Sequence, residues 1–140
     1  MKVEQRMNRD VVCVDEDEPL STALQVILWG GHRHLPVLEQ GRVVGVLTER
    51  DVLRHAARQG WGAGVSGRVK DAMSAPAEVA SPGDDLPDAA AQMVASRVGC
   101  LPVVKAGRLV GILSRTDLLA ELSQDRPPKI ARARGGQRRV

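Results

Sequence analysis

Aromatic side chains are almost missing from this chain of 140 residues: it has two tryptophans, Trp29 and Trp61, and neither phenylalanine nor tyrosine. Binders of single-stranded nucleic acid stack bases on aromatic platforms, and the chain lacks such platforms. Cysteine is nearly as scarce. Cys13 and Cys100 are too few and too isolated for a disulfide framework or a CxxC site; each stands in an apolar run, and both are expected to be reduced core thiols. No stretch approaches the roughly 20 uninterrupted apolar residues that a membrane span needs. Met1 to Asp10 carries Lys2, Glu4, Arg6, Arg9 and Asp10 without the apolar segment of a secretory signal, so the expected setting is cytoplasmic. A nucleophile elbow, a Walker loop, a dinucleotide fingerprint and an H-E-x-x-H pair are also missing, and no catalytic residues are expected.

The 43% hydrophobic and 26% charged fractions are those of a globular protein, of a length that allows one domain or two small fused units. The net charge of +3 divides unevenly. Arg126, Lys129, Arg132, Arg134, Arg138 and Arg139 lie in residues 126–140 with no acid among them, leaving 14 basic residues against 17 acidic ones in the body. The Pro127-Pro128 and Gly135-Gly136 pairs and the like charges predict a disordered basic tail over 126–140.

An internal repeat organises the body. At an offset of 66 residues, Leu35-Pro36-Val37 falls on Leu101-Pro102-Val103, Gly41-Arg42 on Gly107-Arg108, Val44-Gly45 on Val110-Gly111 and Asp51 on Asp117, with 10 identities in the 19 positions from Leu35 to Leu53. Met7, Leu20 and Ala23 match Met73, Leu86 and Ala89 in the same register. In each copy an apolar helical stripe comes first, Leu20, Ala23, Leu24, Ile27 and Leu28, then Leu86, Ala89, Ala90, Met93 and Val94. Two short apolar runs around Gly41 or Gly107 follow and predict a hairpin; Thr48 or Ser114 then opens a second helix. A strand over Val11 to Val14 precedes the first helix, with a weaker counterpart near Val79. The expected fold class is mixed α/β, of the α+β kind: two tandem β-α-β-β-α units pressed together around one shared core. The units are expected at 1–58 and 69–125, joined by a glycine-rich connector over 59–68.

Val69-Lys70-Asp71-Ala72-Met73, His34-Leu35-Pro36-Val37, Cys100-Leu101-Pro102-Val103 and the closing motifs Gly45 to Asp51 and Gly111 to Asp117 resemble a tandem CBS (cystathionine beta-synthase) domain pair, or Bateman module, over about residues 3–124. The resemblance implies that the two units are related by pseudo-twofold symmetry, with clefts between the copies that bind adenosine-containing ligands, often in a homodimer, and a sensing role for an effector protein. AMP, ADP, ATP, S-adenosylmethionine, NAD and cyclic dinucleotides all present the adenosine that such clefts would read.

Taken alone, Thr48-x-x-Asp51 and Ser114-x-x-Asp117 are capping boxes, in which hydroxyl and carboxylate satisfy the free amides of a helix start. The resemblance implies that Asp51 and Asp117 also accept from the ribose hydroxyls, with Thr48 and Ser114 beside the phosphate at the positive helix end. Arg33, His34 and Arg50 are the basic candidates for phosphate, against a reading as ordinary solvated surface. Their counterparts Gly99, Cys100 and Thr116 are uncharged, so one cleft is expected to hold the more highly charged ligand, which one being open. His32-x-His34 with His55 and Cys13 makes too thin a set for zinc, and no metal site is expected. An alternative of another class is an interaction protein whose basic tail docks on an acidic partner, nucleic acid or anionic membrane. A purely structural dimerisation unit is the third. Trp61 is an interface candidate, with packing on its own core as the alternative.

Overall fold

The computed structural model describes residues 1–60, 64–124, 129 and 131. Trp61 and, apart from Lys129 and Ala131, the basic tail lie outside these residues. The first repeat forms β1 (Val14–Asp15), α1 (Leu20–Gly30), β2 (His34–Glu39), β3 (Arg42–Thr48) and α2 (Glu49–Gln59). The second forms α3 (Val69–Ala72), α4 (Leu86–Ser96), β4 (Cys100–Lys105), β5 (Arg108–Ser114) and α5 (Arg115–Leu122). The fold is mixed α+β with two tandem units, and β3 and β5 lie against each other where the units meet. No helix among the described residues is long and apolar enough to cross a membrane.

Both hairpins turn in two residues of positive φ, Gln40 (49°) and Gly41 (79°) in one, Ala106 (52°) and Gly107 (78°) in the other. That is the geometry whose twist matches the flanking strands, and glycine takes it without steric cost. β1 runs parallel to β2 with Val14 opposite Val37; in the second unit a single parallel bridge, Ala80 to Val103, stands at the equivalent place. The strand expected over Val11 to Val14 is therefore shorter and begins later. The ladder stops because its next bond would need an N–H from Pro36, or Pro102 in the second unit, and proline has none.

The apolar stripes are buried at Leu20, Ala23 and Ile27 and at Leu86, Ala89 and Met93, while Leu28 and Val94 at their ends face outward. In place of one shared core there are two. The first gathers Leu20, Ala23, Ile27, Leu35, Val37, Leu47, Val52 and Val69; the second gathers Val3, Ala80, Leu86, Ala89, Met93, Leu101, Val103 and Leu113. Val3 and Val69 are repeat equivalents, and each lies in the core of the other repeat.

Each repeat thus lends its leading segment to its partner unit, with the hydrogen bonds duplicated. The Val3 amide donates to the Asp84 carbonyl and the Val69 amide to the Glu18 carbonyl, both at 2.9 Å. Asn8 and Ile112 exchange two backbone bonds at 2.9 Å, as Ser74 and Val46 do at 3.0 Å. The crossing explains a glycine in the middle of each second hairpin strand. A β-carbon on Gly45 would stand 2.8 Å from both Met73 Sδ and the Ser74 carbonyl oxygen; on Gly111 it would stand 2.7 Å from Met7 Sδ and 3.0 Å from the Asn8 carbonyl oxygen. The cysteines part company. Cys100 is buried, but Cys13 is exposed, because Val12 and Val14 on either side pack on the first core and the residue between them faces out.

Candidate functional site

The two capping boxes form as the sequence patterns predict. Thr48 precedes α2 in extended conformation; its Oγ1 accepts the Asp51 amide at 3.2 Å while Asp51 Oδ2 accepts the Thr48 amide at 2.9 Å and the Thr48 hydroxyl at 3.0 Å. Ser114 and Asp117 repeat the arrangement at the start of α5, with the matching distances 3.3, 2.7 and 2.9 Å. Each pair stands where its hairpin ends, beside the segment lent by the other repeat: Ser74 against Val46, Asn8 against Ile112.

The second carboxylate oxygens differ. Asp51 is 6% exposed, and its Oδ1 accepts the Ser74 hydroxyl at 3.0 Å, with Arg54 Nη1 3.8 Å away. The equivalents of Ser74 and Arg54 are Asn8 and Ala120. Asn8 turns its side-chain oxygen to the Asp10 amide at 2.9 Å, and Asp117, only half-buried, has no hydrogen bond or ion pair to Oδ1 among the described residues. Ser74 has no motif to announce it; its partner is 23 residues away and is reached only through the segment exchange.

His34 begins β2 opposite Thr48, and its counterpart Cys100 begins β4 opposite Ser114. The imidazole leans across the junction between repeats: a β-carbon on Gly99 would stand 2.9 Å from His34 Nε2 and 3.4 Å from Arg115 Nη2. Gly99 in turn accepts the Arg115 amide at 2.9 Å. Burial holds His34 below the usual histidine range, helped by the charges of Arg115 and Arg33, which oppose the nearby Asp51. Burial alone pushes the Cys100 thiol up to about 12. Arg33 and Arg50 are exposed and make no ion pair among the described residues. Arg115, not picked out from the sequence, is the repeat counterpart of Glu49, so the two helices open on opposite charges.

His55 Nε2 lies 3.0 Å from the Ser66 carbonyl oxygen, and no three His, Cys, Asp or Glu residues gather in metal-binding geometry among the described residues. A depression of about 670 Å³, lined by Arg9, Cys13, Arg42 and Arg108 among others, includes neither capped pair. It sits by the hairpin turns, at the other end of strands about 20 Å long.

The CBS domain pattern matches twice, over residues 3–58 and 69–124. The Methanocaldococcus jannaschii protein MJ1225 is 30% identical over 124 residues, which is 88% of this chain but 43% of that protein, so the chain spans a little under half of this relative. The structure of CBSX2 in complex with AMP is 27% identical, covers 88% of this chain and 96% of its own, and superposes with a TM-score of 0.76. A CBS-domain protein of Burkholderia ambifaria, 24% identical, covers 94% of this chain and 100% of its own with a TM-score of 0.82. Two full matches at the repeat offset, on a fold shared with these proteins, show that the chain belongs to the CBS domain family as a tandem pair.

Proposed function

We propose that this CBS pair is a regulatory module that binds adenosine-containing ligands reversibly at Thr48–Asp51 and Ser114–Asp117 and signals their occupancy to an effector protein. One observation carries the reading: in both repeats a hydroxyl and a carboxylate meet at a helix start, beside a segment supplied by the other repeat. An ionised carboxylate can accept from both hydroxyls of a ribose, and a helix N-terminus favours phosphate. The complex of CBSX2 with AMP supports the ligand class. AMP, ADP, ATP, S-adenosylmethionine and NAD all belong to it. In this reading Arg33 and Arg50 supply positive charge for phosphates and His34 a neutral imidazole N–H donor, and the chain binds without catalysing, in the cytoplasm. It works as a homodimer, an assembly supported by Leu28, Trp29 and Leu53 on one helix pair and Val94, Leu119 and Leu122 on the other, all exposed.

The test is thermal unfolding with each of these ligands, on the wild type and on the Asp51→Ala, Asp117→Ala double variant. A ligand at 100 times its Kd adds about 2.7 kcal/mol, several degrees for a domain of this size. The ligand-induced rise is expected in the wild type and lost in the variant. No rise with any ligand, in folded protein free of carried-over nucleotide, overturns the reading in favour of a docking or dimerisation protein.

A further inference from the structure

We infer that the two sites are unequal, that Ser114–Asp117 fills first and takes the phosphorylated adenosine ligand, and that the Ser74 hydroxyl holds Thr48–Asp51 back as a built-in competitor. The inference rests on the function proposed above and adds the order and charge selectivity of the sites.

Three differences point the same way. At Asp51 Oδ1 a ribose hydroxyl must compete with Ser74, which donates to that oxygen at 3.0 Å, on a carboxylate only 6% exposed. Asp117 presents Oδ1 with no partner to displace among the described residues, from a half-buried position. The helix starts then sort the ligands. A phosphate at the start of α2 would meet Glu49 and Arg50, whose charges offset each other, whereas at the start of α5 it would meet Arg115 beside the uncharged Thr116, with His34 packed against the guanidinium. Arg33 adds its charge near the same imidazole. A hydroxyl competitor and an offset Glu49–Arg50 pair at one site, an open oxygen and Arg115 at the other, separate the two without any change of fold.

The experiment is an NMR titration of the full chain, labelled with nitrogen-15, by AMP and separately by adenosine. With AMP, the Ser114–Leu118 amides are expected to saturate at a concentration at least fivefold below that for Thr48–Leu53, with AMP favoured over adenosine about tenfold at the first set only. Ser74→Ala is expected to tighten the Thr48–Asp51 site about fivefold, the worth of one hydrogen bond. Ser74→Thr, which keeps the hydroxyl, leaves the order as in the wild type. Saturation of Thr48–Leu53 first or together with the other set, or weaker binding there in Ser74→Ala, overturns the inference and leaves the proposed function standing. If neither set moves with AMP or adenosine, and the thermal series is also flat, both fall together.

Discussion

His34 is held neutral by its surroundings, and this has a pH signature. Its pKa in the folded chain lies below the ordinary 6.5, because burial and then the charges of Arg115 and Arg33 oppose protonation. The unfolded chain therefore takes up the proton first, and protonation favours unfolding. The stabilisation is complete above pH of about 6.5 and is lost as the pH falls through the lower folded value. Urea unfolding between pH 8 and 5 is expected to show a steeper loss below pH 6.5 for the wild type than for His34→Gln; parallel curves would place the source of any loss elsewhere. At this scale much of the site was legible. Thr48, Asp51, Ser114 and Asp117 could be read because a capping box is a local pattern, closed within four residues. Ser74 could not, since its bond to Asp51 depends on where a distant segment crosses. Cys13 was misread because an apolar run does not say which alternate side chain faces out.

The exchanged leading segments give the elements their strongest dependence on one another. Val3 is fully buried among Leu101, Val103 and Leu113, not among the residues of its own repeat. Removing two of its methyl groups by Val3→Ala is expected to cost about 2 kcal/mol from lost burial and the cavity left behind. In hydrogen exchange monitored by mass spectrometry, the added exchange below global unfolding is expected in β4 and β5 ahead of β2 and β3. A rise confined to the first hairpin would contradict the exchange. The helices and hairpins themselves were readable, because 3.6-residue stripes and short apolar runs around Gly41 and Gly107 have few alternatives. The exchange left only a trace in the sequence: Met7 and Met73 in register, and glycines 45 and 111 inside strands, where a missing side chain marks close approach of another backbone. The missing N–H of Pro36 cut β1 short, an effect that strand patterning does not weigh.

On the whole molecule, four of the exposed apolar positions form two repeat-related pairs, Leu28 with Val94 and Leu53 with Leu119, between 49% and 79% exposed. Alongside Leu28 and Leu53 runs an apolar groove bordered by Leu24, Val52, Ala56 and Val65. A second copy would bring a matching pair, which is the self-complementarity a twofold interface requires. Light scattering is expected to give twice the chain mass of 15.0 kDa for the wild type and the single mass for Leu53→Asp with Leu119→Asp. A wild-type mass already at the single value would remove the homodimer from the proposed function. The crossing of the leading segments also bears on biosynthesis. The first core cannot close until Val69 has been made, and Val3 must wait for Leu101 and Val103, which follow it by about 100 residues. At the usual pace of the ribosome that wait lasts roughly 5–20 s. During it a buried valine has no core to enter, so the nascent chain depends on whatever else can shield it until the second hairpin arrives.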